Sequence, residues 1–250
     1  MLDDGFESFV RALNECNQRG GRMLSVIDLV AAGTIDQALA AYLIAAMRRG
    51  VSLLVGANPG GAGKTTVMCA LLDFLPGPVR ICTVSGRSVL QAARETLQHG
   101  SVCYLAHEIN NAFYYAYLWG EDARDYFDLV LNGDLIASNL HADTLEQTYE
   151  KLCHGSGVSA KALEAVALKI YLRVSRGTGW RTVRQIDTVY EYDQPLWRLD
   201  GGRQVQGELV TEEQEASAAR LLTELTRRGI NRIEEVRRFA LAADGGHDDN

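Results

Sequence analysis

The chain has 250 residues, of which 47% are hydrophobic and 23% charged, with a formal net charge of −7. A chain this long and this apolar can bury a sizeable core, which excludes a disordered polypeptide. Its acidic balance argues against a general nucleic-acid binder, whose phosphate neutralisation needs a basic surface, so no direct nucleic-acid binding is expected.

Three helices are predicted first, around Phe6 to Cys16, Ser25 to Ala31 and Ile35 to Arg49. The third is the clearest: Thr34 with Gln37 three residues on reads as a capping box, and Ile35, Ala38, Leu39, Tyr42, Leu43 and Ala46 recur at helical spacing. Its apolar run, Ala38 to Met47, is well short of the roughly 18 residues a membrane-spanning helix needs. No charged-then-apolar leader opens the chain, so a cytoplasmic location is expected.

The segment Val51 to Thr66 is an apolar strand running into the turn Ala57-Asn58-Pro59-Gly60-Gly61-Ala62-Gly63-Lys64-Thr65-Thr66. Backbone N–H groups can ring a polyphosphate only where side chains are small, as at Gly60, Gly61, Ala62 and Gly63. Lys64 is then placed for β- and γ-phosphates, Thr65 for Mg²⁺, and the helix opening at Thr65, with Thr66 in its first turn, presents its positive end to the same anion. Asn58 stands where the strict pattern has glycine, and is expected to tolerate a positive φ there.

Pro76-Gly77-Pro78 breaks the chain, and Val79 to Val84 reads as a second buried strand. A helix from about Ser88 to Gln98 and a strand from Val102 to Ala106 follow. A further strand is predicted at Leu135 to Ser138, helices at Leu145 to Leu152 and Ala160 to Leu168, and a strand at Ile170 to Val174. Val183 to Tyr192 reads as an antiparallel partner to that strand, joined through Gly177-Thr178-Gly179. Beyond Gly201-Gly202, Glu212 to Thr226 and Arg232 to Ala242 form a helical hairpin broken at Gly229, with a polar tail expected to fray. Alternating strands and helices imply an α/β architecture around a mostly parallel sheet. The five cysteines have no CxxC spacing and suggest neither a zinc cage nor a disulfide framework, and Cys153-His154 reads as an incidental pair.

A nucleotide site that hydrolyses needs a carboxylate at the end of a neighbouring strand, and Val102 to Glu108 supplies one in Glu108. Here the chain resembles the type II/IV secretion ATPase family, the motors of type II secretion, type IV pili and the archaeal flagellum-like filament. Ala106-His107-Glu108 matches that family's strand ending in Gly-Glu, with His107 for the glycine. Ser138-Asn139-Leu140-His141-Ala142-Asp143 is similar to its histidine box, Ser-Thr-Leu-His-Thr/Ala-Asn. Ala32-Gly33-Thr34 and Arg48-Arg49-Gly50 resemble the run into its cradle. Trp180 to Asp187 resembles its strand R-R-V-x-x-I-x-E, and Pro195 to Asp200 its Leu-Phe-Arg-aromatic-Asp stretch.

The resemblance implies a P-loop NTPase fold with a RecA-like, mostly parallel sheet flanked by helices. It implies ATP and Mg²⁺ as ligands, with Thr65 and Glu108 on the metal and Glu108, His141 and Lys64 catalytic, His141 at the γ-phosphate. The expected organisation is a helical N-terminal segment over 1–50, the ATPase domain over 51–200, and a C-terminal helical hairpin and tail over 201–250. The implied role is a motor subunit in a homo-oligomeric, hexameric ring acting on a membrane platform protein, and so membrane-associated through partners. The alternative is a weakly active or inactive nucleotide-binding subunit regulating an active homologue.

Departures motivate that alternative. The family follows its second strand with acidic residues that activate water, whereas Val84 is followed by Ser85-Gly86-Arg87. Its arginine-bearing segment is cut to a few residues, which leaves Arg87, Arg124, Arg173 and Arg176 as unranked candidate fingers. Where the family has Arg-Asp or Arg-Gly, the chain carries Ala112 to Trp119, an aromatic stretch better explained by core or subunit packing than by base stacking. Only residues 1–50 precede the cradle strand, where larger members carry a domain, and no four-cysteine zinc module is present.

Overall fold

The computed structural model describes residues 2–17, 20–58, 60–95, 101–111, 117–177, 179 and 182–245. Expectations for 59, 96–98, 112–116, 178, 180–181 and the tail from 246 fall outside these.

Five parallel strands form the centre of the sheet: Leu53–Gly56 (β1), Arg80–Val84 (β2), Val102–Ile109 (β3), Leu135–Leu140 (β5) and Leu168–Arg176 (β6). Tyr117–Leu118 (β4) adds to the end of β3. Thr182–Glu191 (β7), Gln194–Arg198 (β8) and Gly202–Arg203 (β9) continue antiparallel from β6, giving the order β2-β3-β5-β1-β6-β7-β8-β9. The hairpin between β7 and β8 turns at Tyr192 and Asp193, the two non-glycine residues with positive φ among those described.

Successive residues of β1 face opposite layers, as the two-residue period of a strand requires. Leu53 and Val55 join one apolar cluster and Leu54 the other. The first cluster is closed by helices Leu2–Glu15 (α1), Val26–Ala31 (α2), Gln37–Arg48 (α3), Lys64–Leu72 (α4), Glu212–Arg228 (α9) and Ile233–Gly245 (α10). The second lies under Arg87–Arg94 (α5), Glu121–Leu131 (α6), Leu145–Tyr149 (α7) with its π-helical continuation Glu150–Gly155, and Ala160–Glu164 (α8).

Several boundaries differ from the sequence reading. The N-cap of α3 is Asp36, whose carboxylate accepts from Ala38 N at 2.8 Å and Leu39 N at 3.2 Å, so Thr34 and Gln37 form no capping box there. The strand expected to be buried, β2, is the sheet edge and is half exposed. The helix expected to reach Leu168 stops at Glu164, because Leu168 opens β6, its N–H donating to Ser52 O. Helix α6 and strands β8 and β9 were not anticipated.

Candidate active site

Strand β1 ends at Gly56, where a Cβ would lie 2.5 Å from Ala142 O and 2.7 Å from the Tyr171 ring. Only glycine lets the loop after β5 cross this strand end, and that crossing brings His141 to the cradle. Gly61 and Gly63 adopt left-handed φ of 82° and 97°, and Gly63 caps α4. Gly60, Gly61, Ala62, Gly63, Lys64, Thr65 and Thr66 line a cavity of about 800 Å³ shared with Glu108, Asn139 and His141. The N-terminus of α4 opens into it, supplying unpaired N–H groups and the positive end of the helix dipole.

Lys64 is 8% exposed, and its ammonium donates to Ala57 O at 3.1 Å and pairs with Glu108 Oε1 at 3.2 Å. The same Glu108 oxygen lies 2.9 Å from His141 Nε2, while His141 Nδ1 faces Asn58 O at 2.9 Å. An ammonium has three donors, and these contacts use two, leaving one for a phosphate oxygen.

Glu108 reaches this position through a bulge. Ala106 pairs with Ser138 and Ile109 with Leu140, so His107 and Glu108 together stand opposite the single residue Asn139. A bulge of this kind re-aims side chains beside a site and leaves backbone groups without ladder partners. Asn139 supplies one replacement: its Nδ2 donates to His107 O at 2.9 Å and to Thr65 Oγ1 at 3.0 Å. Burial pushes the His107 imidazole below its ordinary value and favours the neutral ring, which stacks on Tyr117 with centroids 6.3 Å apart.

Asn58 takes a different role from the one expected. Its φ is not positive. It acts as a tie: its N–H donates to Asp143 Oδ1 and its Nδ2 to Asp143 Oδ2, both at 2.7 Å, binding the start of the cradle to the histidine loop. None of the four candidate finger arginines lines the cavity of its own chain. Arg87 pairs with Glu121, Arg124 donates to Ser156 O, and Arg173 pairs with Asp187 and Asp200.

Arg184 on β7 reaches the cradle instead. Its Nε donates to Gly61 O at 2.9 Å, and a Cβ on Gly63 would meet its Cδ at 3.5 Å. Nothing in the spacing of the sequence connects residue 184 to residue 61, so this contact has no sequence signal. Met23 and Leu24 between α1 and α2, Leu29 of α2, Ala32 at its end and Val183 of β7 add apolar side chains to the lining. The cavity thus offers a lysine and backbone N–H groups to a polyphosphate and apolar side chains to a flat ring.

Among the described residues no cluster of three or more His, Cys, Asp or Glu side chains could cage a metal ion. Mg²⁺ on a nucleotide needs only one or two protein oxygens beside phosphate and water. Thr65 Oγ1 and Glu108 meet that need, and Asn139, whose buried Oδ1 has no hydrogen-bond partner among the described residues, lines the same cavity. The residues therefore fit a phosphate-borne Mg²⁺.

A parallel strand, a glycine turn and a lysine-headed helix, set in a parallel sheet covered on both faces, define the α/β class of P-loop nucleotide-binding folds. No protein-family model and no curated protein matches the chain. Among solved structures it is similar to the VirB11 ATPase of the Brucella suis type IV secretion system, crystallised with sulphate, at 20% identity over 74% of this chain and 55% of that one, with a TM-score of 0.44. It is also similar to the ATPase DotB of Legionella pneumophila at 14% identity over 75% and 54%, TM-score 0.45. For DotB of Yersinia pseudotuberculosis the identity is 10% over 81% and 60%, TM-score 0.41. The matched part spans between half and two thirds of the length of each of these ATPases.

Proposed function

We propose that the cavity binds Mg-ATP and that the chain hydrolyses it as a motor subunit of a type II secretion or type IV pilus-like system. The observation that carries the nucleotide reading is the convergence of Lys64 and His141 on one oxygen of Glu108 inside the cavity that the glycine turn lines. Lys64 and the N–H groups of the cradle bind the β- and γ-phosphates, and Thr65 and Glu108 hold Mg²⁺. The cation, when bound, neutralises charge that develops on the transferring phosphoryl group. Glu108 orients the attacking water and accepts its proton, and His141, whose Nε2 lies 2.9 Å from Glu108 Oε1 and whose Nδ1 meets Asn58 O, faces the γ-phosphate. The motor role rests on the histidine-box and strand motifs, and with it come the hexameric ring of like chains, the membrane platform partner and a cytoplasmic location.

A second reading has its own observation. Glu108 is the sole carboxylate among the described residues lining the cavity, so cation binding and water activation fall to one group. This favours slow turnover, as in a nucleotide-binding subunit that regulates an active homologue. Steady-state ATPase activity measured beside particle size, with and without Mg-ATP, separates the two. Turnover by a ring-sized particle supports the motor, and binding without turnover supports the regulator. Absence of nucleotide binding would overturn both.

A further inference from the structure

Asn139 is 2% exposed and stands on β5 between the cradle strand and the Glu108 strand. Its amide orientation is fixed by chemistry: the group facing His107 O must be the donor, since a carbonyl cannot donate. The same Nδ2 therefore donates to Thr65 Oγ1, occupying one lone pair of that hydroxyl and leaving the other for a cation. Oδ1 is consequently turned away from both contacts, buried and without a hydrogen-bond partner among the described residues, in a side chain that lines the cavity. A buried amide oxygen is costly to leave unpaired.

We propose that Asn139 is a positioning residue for the divalent cation, a role that rests on the nucleotide reading above. Its Nδ2 orients the Thr65 hydroxyl, and its Oδ1 accepts a hydrogen bond from a water in the cation's coordination shell. Mg²⁺ keeps several such waters, and each is a strong donor because the cation polarises it. The bulge in β3 and the cation are thereby coupled through one side chain, since the amide that fills the bulge also organises Thr65.

The test is equilibrium binding of a fluorescent ATP analogue to the full chain, with Mg²⁺ titrated from EDTA upward. In Asn139→Leu, of similar volume but unable to hydrogen-bond, the half-saturating Mg²⁺ concentration should rise about tenfold. Affinity in EDTA should change by less than about twofold, because the cradle N–H groups and Lys64 are untouched. An unchanged Mg²⁺ requirement, or an equal loss of affinity with and without Mg²⁺, overturns the proposal, the latter marking a merely structural residue. If Asn139→Leu does not fold, Asn139→Ala removes both amide atoms without adding bulk and should raise the Mg²⁺ requirement in the same way. A requirement unchanged in that variant overturns the proposal. Failure of the wild-type chain to bind the analogue at any Mg²⁺ concentration would instead refute the nucleotide reading.

Discussion

One oxygen of Glu108 lies between the Lys64 ammonium and the His141 ring, so any change there is felt by both. Glu108→Gln is nearly isosteric but cannot act as a base or as an anionic ligand. It should keep ATP binding and lower steady-state turnover at least about 10²-fold, and wild-type turnover in this variant would move the carboxylate role elsewhere. Among the described residues Arg184 bonds the cradle through Nε, and its two Nη groups are further donors on a side chain that lines the cavity. Arg184→Ala should weaken ATP binding about tenfold while leaving adenosine binding unchanged, a contrast that calorimetry with both ligands would resolve. The glycines, Lys64 and Thr65 were legible in the sequence because a phosphate cradle is contiguous and its spacing is a physical requirement. Arg184 and Asn139 were not legible, because each acts through a contact made only when distant strands are brought together.

At the scale of elements, the cradle helix α4 is held at both ends. At its head, Gly56 admits the histidine loop, and a methyl group there would collide with Ala142 O. Gly56→Ala should lower the melting temperature by about 5 °C or more and weaken nucleotide binding in parallel, by displacing Ala142 and with it His141. At its tail, the buried Arg237 of α10 stacks on the Phe9 ring and donates to Asp73 O and Leu75 O, satisfying carbonyls that the helix end leaves open. Asp73 beside it is buried with neither carboxylate oxygen hydrogen-bonded among the described residues, and burial pushes its carboxyl well above the usual carboxylate range, against the pull of Arg237. The folded chain therefore holds this proton more tightly than the unfolded chain does. Stability contributed by Asp73 is present in full below the ordinary carboxylate value and is lost as pH rises above it. Asp73→Asn should raise the melting temperature at neutral pH by roughly 3 to 6 °C, with the gap closing towards pH ~4.

The elements themselves were read with uneven success, for physical reasons. Strands β1, β3, β5 and β6 show as apolar runs because both their faces are covered. Helix α9 shows through its 3.6-residue period, its Thr211 capping box and Gly229 in the left-handed conformation. Helix α6 was missed because acidic and aromatic residues mask its period. Strands β8 and β9 carry little hydrophobic signal because they are only five and two residues long. The bulge at His107 and Glu108 has no sequence signature, yet it is what turns Glu108 into the cavity.

For the whole molecule, the first apolar cluster joins Phe9 near one end of the chain to Val236 near the other around α3 and α4, the helix that heads the cradle. Among the described residues no helix is long and apolar enough to cross a membrane. With one carboxylate at the cavity among the described residues, the isolated chain should turn ATP over slowly. If neighbouring chains add cationic side chains to the site, activity should rise with protein concentration and follow a ring-sized particle in light scattering. Fast hydrolysis by a monomer at all concentrations would contradict that dependence.

The claim beneath all of these is that the cavity holds a nucleotide through its cradle. A ligand bound only to the folded chain adds RT ln(1 + [L]/Kd), about 2.7 kcal/mol at a hundredfold excess over Kd. In a chain of this length that is roughly 5 to 10 °C in melting temperature. The direct measurement is therefore the thermal shift produced by Mg-ATP in the wild-type chain and in Lys64→Ala. A shift of that size is expected in the wild type and a much smaller one in the variant, whereas equal shifts in the two, or none in the wild type, would contradict nucleotide binding at the cradle.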